Sequence, residues 1–321
     1  MKEIVLTATG GPENFSLREA ATAEPRVGEI RVRNKAAGVN FIDIYQRRGL
    51  YPVATPCVLG QEGAGVVVAA GPDQPFTVGD RVAYLSGGGA YAEEIMLDAA
   101  RAARIPAAVD DDLAAAAFLK GLTAEMLVRQ VFPLKKGQTA LITAAAGGVG
   151  TLLTQWAVHI GAGVIAIVGG PEKAEAAAAN GAAHVIDRNA APDTASAVRA
   201  ITDGRGVDVV YDSVGAATFE ASLDSLALRG MMVTYGNASG PAPAIAPLEL
   251  SRRGSLFLTR PTLFHYATPD RLPAMAAALF DLMAKGVLRP VIAARLPLEK
   301  AGDAHRLLEA GKTIGSIVLK P

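Results

Sequence analysis

The sequence predicts an α/β protein in which a parallel, doubly wound sheet follows a β-rich, barrel-like unit. Three observations predict it. Segments before about residue 110 alternate or run apolar as strands do, and Gly, Pro and Asp punctuate them. Beyond that point strand-like and helix-like segments alternate, the pattern of a parallel sheet covered on both faces. After residue 260 a helix leads into a short β/helix/β tail.

In the first part, residues 4–8 and 29–37 read as strands, Glu62–Ala70 as a strand of small residues, and 79–84 as a turn feeding another strand. Such short strands suit a Greek-key, barrel-like unit. Asp110 to Asp112 can cap a helix running through Ala117, and a second helix is expected over 122–131. Strands are then expected at Thr139–Thr143, 164–168, 184–186, 207–211, 231–235 and 256–258. Helices are expected at 149–160, 172–180 and 195–201, and the final helix at 272–285 precedes a tail ending at 316–319. Alanine, the best helix former, is concentrated in the helical segments, so its abundance does not signal low complexity.

With 321 residues, half of them hydrophobic, the chain can fill two domains of ordinary size. Thirty-one basic residues balance thirty-one acidic ones. The basic stripe of a nucleic-acid binder is missing, so no nucleic-acid partner is expected. No apolar run reaches the roughly 18 residues that span a bilayer, and no membrane association is expected. The start, Met1 to Val5, carries an acid and no long apolar core, unlike a signal peptide. The single cysteine, Cys57, has no partner for an intramolecular disulfide. The expected compartment is the cytoplasm.

The segment from Thr139 to Gly150 is a strand, a bend of small residues (Ala144, Ala145, Ala146, Gly147, Gly148), and a helix start. A dinucleotide pyrophosphate needs this arrangement, because glycines let the backbone approach and helix N-terminal amides carry partial positive charge. Ala145 stands where the Gly-x-Gly-x-x-Gly fingerprint has its first Gly, while Gly147 and Gly150 remain. A lone glycine motif is weak, but between a strand and a helix inside repeated β/α units it is specific. About 20 residues further on, where an NAD enzyme places an acid for the ribose 2′-hydroxyl, the chain has Gly169-Gly170. Glu172 nearby would serve NAD. Lys173 beside it, and Arg188 after the next strand, suit a 2′-phosphate, and NADPH is the preferred reading.

Several blocks, in order, carry a family resemblance: Asn40-Phe41-Ile42-Asp43, Gly49-Leu50-Tyr51-Pro52, Gly60-Gln61-Glu62-Gly63-Ala64-Gly65-Val66, Val78-Gly79-Asp80-Arg81-Val82, Lys120-Gly121-Leu122-Thr123, the Ala144 to Gly150 bend, Val210-Tyr211-Asp212-Ser213-Val214-Gly215 and Gly236-Asn237. Together they resemble the NADPH:quinone oxidoreductases, the zinc-free, ζ-crystallin-like group of the medium-chain dehydrogenase/reductase superfamily, and its bacterial members above all. The resemblance implies a Rossmann domain over residues 121–260 inserted in a GroES-like β-barrel catalytic domain built from 1–120 and 261–321. It also implies a cleft between the domains and a homodimer joined through Rossmann edge strands, near residues 256–259 here.

For the cofactor, the resemblance implies contacts from Asn40, Thr123, Ala146, Gly147, Gly148, Val149 and Gly150. Lys173 matches a lysine at the adenosine 2′-phosphate, whereas Gly170 and Arg188 stand where related enzymes often have Ser or Thr and Tyr. Ser213, Tyr235, Gly236, Asn237, Thr259, Arg260 and Pro261 match segments on the nicotinamide side, and Gly315 near the C-terminus matches another contact. Asn40, Tyr45 and Tyr51 are the candidate substrate residues. Asn40 can donate to a quinone oxygen or to the nicotinamide amide, and the tyrosines can stack on a quinone ring and donate through their hydroxyls.

Zinc-dependent alcohol dehydrogenases of the same superfamily bind catalytic zinc through Cys and His, including a Gly-His-Glu motif. Here that motif reads Gly60-Gln61-Glu62. A zinc site needs three or four N, S or O ligands, which one Cys and the scattered His159, His184, His265 and His305 do not supply. Without zinc to acidify an alcohol, reduction of an already electrophilic quinone is favoured. The same scaffold also serves reductases of α,β-unsaturated carbonyls or enoyl thioesters. An RNA-binding or structural role, found among relatives, lacks its basic clusters here. Asp43 and Glu62 are expected to be structural, and Cys57 buried and inert.

Overall fold

The computed structural model describes residues 1–191 and 193–321 and divides into two compact units. The first comprises Met1–Leu122, Ala267–Gly286 and Pro290–Pro321; the second comprises Thr123–Tyr266 and Val287–Arg289.

The first unit opens with β1 (Lys2–Leu6), β2 (Phe15–Glu19), β3 (Glu29–Val39), helix α1 (Phe41–Arg47), β4 (Cys57–Val58), β5 (Glu62–Ala70), β6 (Arg81–Leu85), β7 (Glu94–Asp98), β8 (Ala102–Arg104) and α2 (Asp111–Glu125). β1 pairs with β2 and β4 in a three-stranded sheet, and β3 is the spine of a larger, seven-stranded one. β3 alternates buried and exposed residues at its start, then buries every residue from Ala36 to Val39. The change follows composition, because Ala36, Ala37 and Gly38 are small enough for cover on both faces. A Cβ on Gly38 would lie 2.3 Å from Glu62 Oε1 and 2.6 Å from the Ala115 carbonyl oxygen, so only glycine fits between β5 and α2. Ile30, Val32, Val67, Val82 and Leu319 are fully buried in the core of this unit.

Helix α2 runs unbroken through Lys120-Gly121 into a π-helical turn at Met126–Val131, where two separate helices were expected. Gly121 does not break it because its missing side chain serves packing. A Cβ there would meet Leu279 Cδ1 at 2.4 Å.

The second unit contains β9 (Thr139–Thr143), α3 (Gly148–Ile160), β10 (Gly163–Val168), α4 (Pro171–Ala179), β11 (His184–Asp187), α5 (Thr194–Ile201), β12 (Val207–Asp212), α6 (Phe219–Asp224), β13 (Leu226–Thr234), α7 (Pro247–Arg252), β14 (Phe257–Thr259) and α8 (Leu263–Tyr266). Its six strands lie in the order β11-β10-β9-β12-β13-β14, and every neighbouring pair is parallel. β9, β10 and β12 read as near-continuous apolar runs because both faces of a parallel sheet are covered. The chain steps outward from β9 to β11 on one side and from β12 to β14 on the other. Between β9 and β12 the direction reverses, and at such a switch point loops from the strand carboxyl ends open a crevice. The edge strand β14 leaves Phe257 57 % exposed, and Leu228 on neighbouring β13 is 81 % exposed.

The chain returns to the first unit with α9 (Leu272–Ala284), β15 (Ile292–Pro297), α10 (Ala301–Glu309) and β16 (Ser316–Lys320). β16 pairs antiparallel with β3, placing Val318 opposite Gly38, so both ends of the chain build one sheet. Among the described residues no helix is long and apolar enough to cross a membrane.

Candidate active site

In the second unit, nearly all the residues expected at the cofactor follow the carboxyl ends of parallel strands. After β9, Ala144 takes a left-handed conformation (φ 48°) and turns the chain toward Gly147, the N-cap of α3. Gly147 N donates to the Ala144 carbonyl at 2.9 Å, and Thr151 N to the Gly147 carbonyl at 2.9 Å. A Cβ on Gly150 would lie 2.3 Å from the Ala144 oxygen and 2.7 Å from Ala145 Cα; on Gly147 it would lie 3.2 Å from the same oxygen. The bend therefore stays tight only with glycine at 150. Ala145 is tolerated in place of the fingerprint's first Gly because the left-handed residue is its neighbour. The first amides of α3, on Gly148, Val149 and Gly150, have no acceptor within the helix and carry its positive dipole end. Ala146 is buried. This cradle fits a pyrophosphate.

Two cations meet beyond β10 and β11. Gly170 (φ 103°) caps α4 ahead of Pro171, and its N–H donates to Asp187 Oδ1 at 2.9 Å. Asn189 N donates to the same oxygen at 3.0 Å. These two backbone bonds hold the Asp187 carboxyl below its usual range. A Cβ on Gly169 would lie 3.3 Å from Arg188 Nε and 3.7 Å from Asn189 Nδ2, so the Arg188 side chain folds back over the end of β10. Burial, and then repulsion from Arg188, lower the Lys173 ammonium pKa. Like charges held this close favour an anion between them. Asp187 and Asn189 were missed from the sequence, although both flank Arg188.

The loops after β12, β13 and β14 are tied together. Asp212 is fully buried and accepts from Val214 N (2.7 Å), Gly215 N (3.1 Å), Thr218 Oγ1 (2.7 Å), Ser222 Oγ (2.7 Å) and Thr143 Oγ1 (3.3 Å). Ser213 N donates to Thr143 Oγ1 at 3.0 Å. A Cβ on Gly236 would lie 2.2 Å from the Ser213 carbonyl oxygen, and Arg260 Nη1 donates to the Gly236 carbonyl at 3.2 Å. Ser213, Tyr235, Gly236, Asn237, Thr259, Arg260 and Pro261 thus share one end of the sheet. Thr123, also in this unit, is buried. The Val210 to Gly215 segment gives no local sign of a role for Asp212; its place as a hub depends on five donors brought together by the fold.

Asn40, Tyr45, Tyr51 and Gly315 belong to the first unit. Asn40 precedes α1, and its N–H donates to Asp43 Oδ2 at 2.8 Å in a capping box. Its Nδ2 donates to Glu62 Oε1 at 2.9 Å and faces the Gly38 carbonyl at 3.4 Å. The donation expected outward from Asn40 is therefore directed inward. Glu62 also accepts from Leu119 N (2.6 Å) and Lys120 Nζ (2.6 Å). Burial pushes the Asp43 carboxyl up to about 7, against the bonds from Asn40 N and Tyr91 Oη and the Lys120 charge. Tyr91 Oη also lies 3.0 Å from His305 Nε2, whose pKa burial lowers to about 3. The Tyr45 and Tyr51 rings meet edge-on with centroids 5.3 Å apart, and Phe41 tilts against Tyr45 at 6.0 Å. Tyr45 is buried and Tyr51 half-buried. Gly315 (φ 87°) packs its bare Cα on Val291, where a Cβ would lie 2.3 Å from the carbonyl oxygen.

The donor set does not suit zinc. Gln61 Nε2 donates to Gln46 Oε1 at 3.2 Å, and the Glu62 carboxylate is engaged by three N–H donors. Among the described residues no group of three or more His, Cys, Asp or Glu could hold a metal ion. Cys57 is half-buried, less than expected, and burial pushes its thiol pKa up, away from a reactive thiolate.

Comparison with known proteins agrees with this architecture. Residues 26–107 match the alcohol dehydrogenase GroES-like domain, and residues 148–285 match the family described as zinc-binding dehydrogenase. A quinone oxidoreductase of Pseudomonas aeruginosa is 48 % identical, covering 100 % of this chain and 99 % of its own. A 2-haloacrylate reductase of a Burkholderia species is 44 % identical, over 99 % and 98 %. The crystal structure of Escherichia coli quinone oxidoreductase complexed with NADPH superposes with a TM-score of 0.97 at 42 % identity, covering all of both chains. Full-length identity at this level, on a Rossmann-type sheet and a GroES-like unit, shows that the chain belongs to the quinone oxidoreductase family of the medium-chain dehydrogenase/reductase superfamily.

Proposed function

We propose that the protein is an NADPH-dependent oxidoreductase that reduces quinones without a metal. The observation that carries this reading is the pairing of a glycine bend at Gly147–Gly150 with two cations, Lys173 and Arg188, at the ends of adjacent strands. The bend suits a pyrophosphate and the cations suit a 2′-phosphate, which NADH lacks. The E. coli relative complexed with NADPH supports the cofactor. When bound, NADPH supplies the hydride or electrons.

The chain's own part is binding and orientation. Gly148, Val149 and Gly150 offer amides to the pyrophosphate. The loops carrying Ser213, Tyr235 to Asn237 and Thr259 to Pro261, braced by Asp212, define the nicotinamide side. Tyr45 and Tyr51 offer aromatic surface and hydroxyls to a quinone. An electrophilic acceptor needs positioning more than acid catalysis, so the lack of a zinc donor set among the described residues is consistent with this chemistry. A homodimer through the β14 edge would cover Phe257.

A second reading is reduction of electron-poor alkenes, favoured by the 44 % identity to a 2-haloacrylate reductase. Steady-state turnover with 1,4-benzoquinone, 9,10-phenanthrenequinone, an enone and 2-chloroacrylate, each with NADPH and NADH, separates the readings. Quinone turnover with NADPH should dominate. Alkene turnover far above quinone turnover would replace the first reading by the second.

A further inference from the structure

The Glu62 side chain is 0 % exposed and the Lys120 side chain 6 % exposed. Three N–H donors converge on the Glu62 carboxyl: Leu119 N, Lys120 Nζ and Asn40 Nδ2, at 2.6, 2.6 and 2.9 Å. A side-chain amide nitrogen has two hydrogens and no acceptor capacity. One hydrogen of Asn40 goes to Glu62 and the other faces the Gly38 carbonyl. Turned over, the amide would set its oxygen against the Glu62 and Gly38 oxygens, acceptor against acceptor in a buried setting, which is costly. The capping box with Asp43 uses at most one lone pair of Asn40 Oδ1. What Asn40 has left to offer is acceptor capacity alone.

We infer that Glu62 and Lys120 are positioning residues that hold Asn40 as a hydrogen-bond acceptor for a donor on the nicotinamide riboside half of the cofactor, either the carboxamide NH2 or a ribose hydroxyl. This rests on the NADPH reading of the site. A quinone carries only acceptor oxygens at its reacting carbonyls, so Asn40 has no hydrogen to give it. The carboxylate at 62 thus sets which partner Asn40 serves. Glutamine at 62 could present either N–H or oxygen to Asn40 and would release that choice.

The test is calorimetric titration of wild-type protein and the Asn40→Ala, Glu62→Gln and Glu62→Gln/Lys120→Met variants, each checked for folding by thermal melting. The probes are NADPH and 2′,5′-ADP, which has the 2′-phosphate but no nicotinamide riboside. The NADPH dissociation constant should rise roughly five- to tenfold in each variant, the loss of one buried hydrogen bond, while 2′,5′-ADP binding stays unchanged. Should Glu62→Gln not fold, the double variant, which removes the buried cation with the carboxylate, carries the test. The reduced 3-acetylpyridine analogue of NADPH, which lacks the amide N–H, identifies the donor. If Asn40→Ala no longer weakens binding of the analogue, the carboxamide is the partner; if it still does, a ribose hydroxyl is, and either result supports the assignment. Folded Glu62 variants with unaltered NADPH affinity would overturn it. So would equal weakening of NADPH and 2′,5′-ADP, or a raised quinone KM with unaltered NADPH affinity. Wild-type protein that binds neither probe would overturn the functional reading itself.

Discussion

Replacing Lys173 and Arg188 together by alanine is expected to raise the KM for NADPH roughly a hundredfold while leaving that for NADH nearly unchanged. Charge-assisted hydrogen bonds contribute about 1.5–3 kcal/mol each. Lys173 is half-buried and belongs in that range, near 2 kcal/mol. Arg188 is exposed, where water and salt reduce an ionic contact to about 1 kcal/mol or less. The sum is about 3 kcal/mol, which is two factors of ten. The single variants should be unequal. Lys173→Ala removes the larger contact, and Arg188→Ala costs less than its own contact because it relieves the repulsion on Lys173. Steady-state kinetics at saturating benzoquinone, with both cofactors and at two salt concentrations, measures the effect, and the loss should shrink as salt rises. If NADPH and NADH weaken equally, the cations do not read the 2′-phosphate and the cofactor assignment at this corner fails.

Three further outcomes follow from the same geometry. Gly150→Ala places a methyl 2.3 Å from the Ala144 oxygen, against backbone that cannot swing aside. It should lower stability by about 1–3 kcal/mol and abolish NADPH binding, seen by thermal melting and calorimetry; a variant that binds normally would mean the bend does not form the cradle. Asp43 titrates near 7 when folded against an ordinary 3.8, so the folded state holds the proton longer and wild-type stability falls as pH climbs from about 4 to about 7. Asp43→Asn removes this loss and should gain about 2 kcal/mol relative to wild type between pH 5 and 7.5 in urea unfolding, and a pH-independent difference would refute the assignment. Phe257→Asp puts a charge on the exposed β14 edge and should convert a dimer to a monomer in light scattering, without loss of helix content; a dimer that persists would place the interface elsewhere.

Much of the second unit was legible in the sequence because its signals are local. The apolar runs of β9, β10 and β12, the glycines at 147 and 150, and the cations after β10 and β11 each lie within a few residues of the turn or strand they specify. The family blocks carried the rest of the domain order. What no local pattern contains is the partner of a side chain that reaches across the fold. Gly121 could have been read as a break, yet it is a packing contact for Leu279, far along the chain. Asp212 collects donors from β9, from the loop beyond β12 and from α6. Asn40 is the sharpest case. The sequence by itself determined that an amide stands there, and an amide can donate or accept. Only the tertiary structure, by burying Glu62 twenty-two residues on and Lys120 a further fifty-eight beyond, aimed its hydrogens inward and decided which it does, because the cost of facing acceptor to acceptor without water exists only after folding.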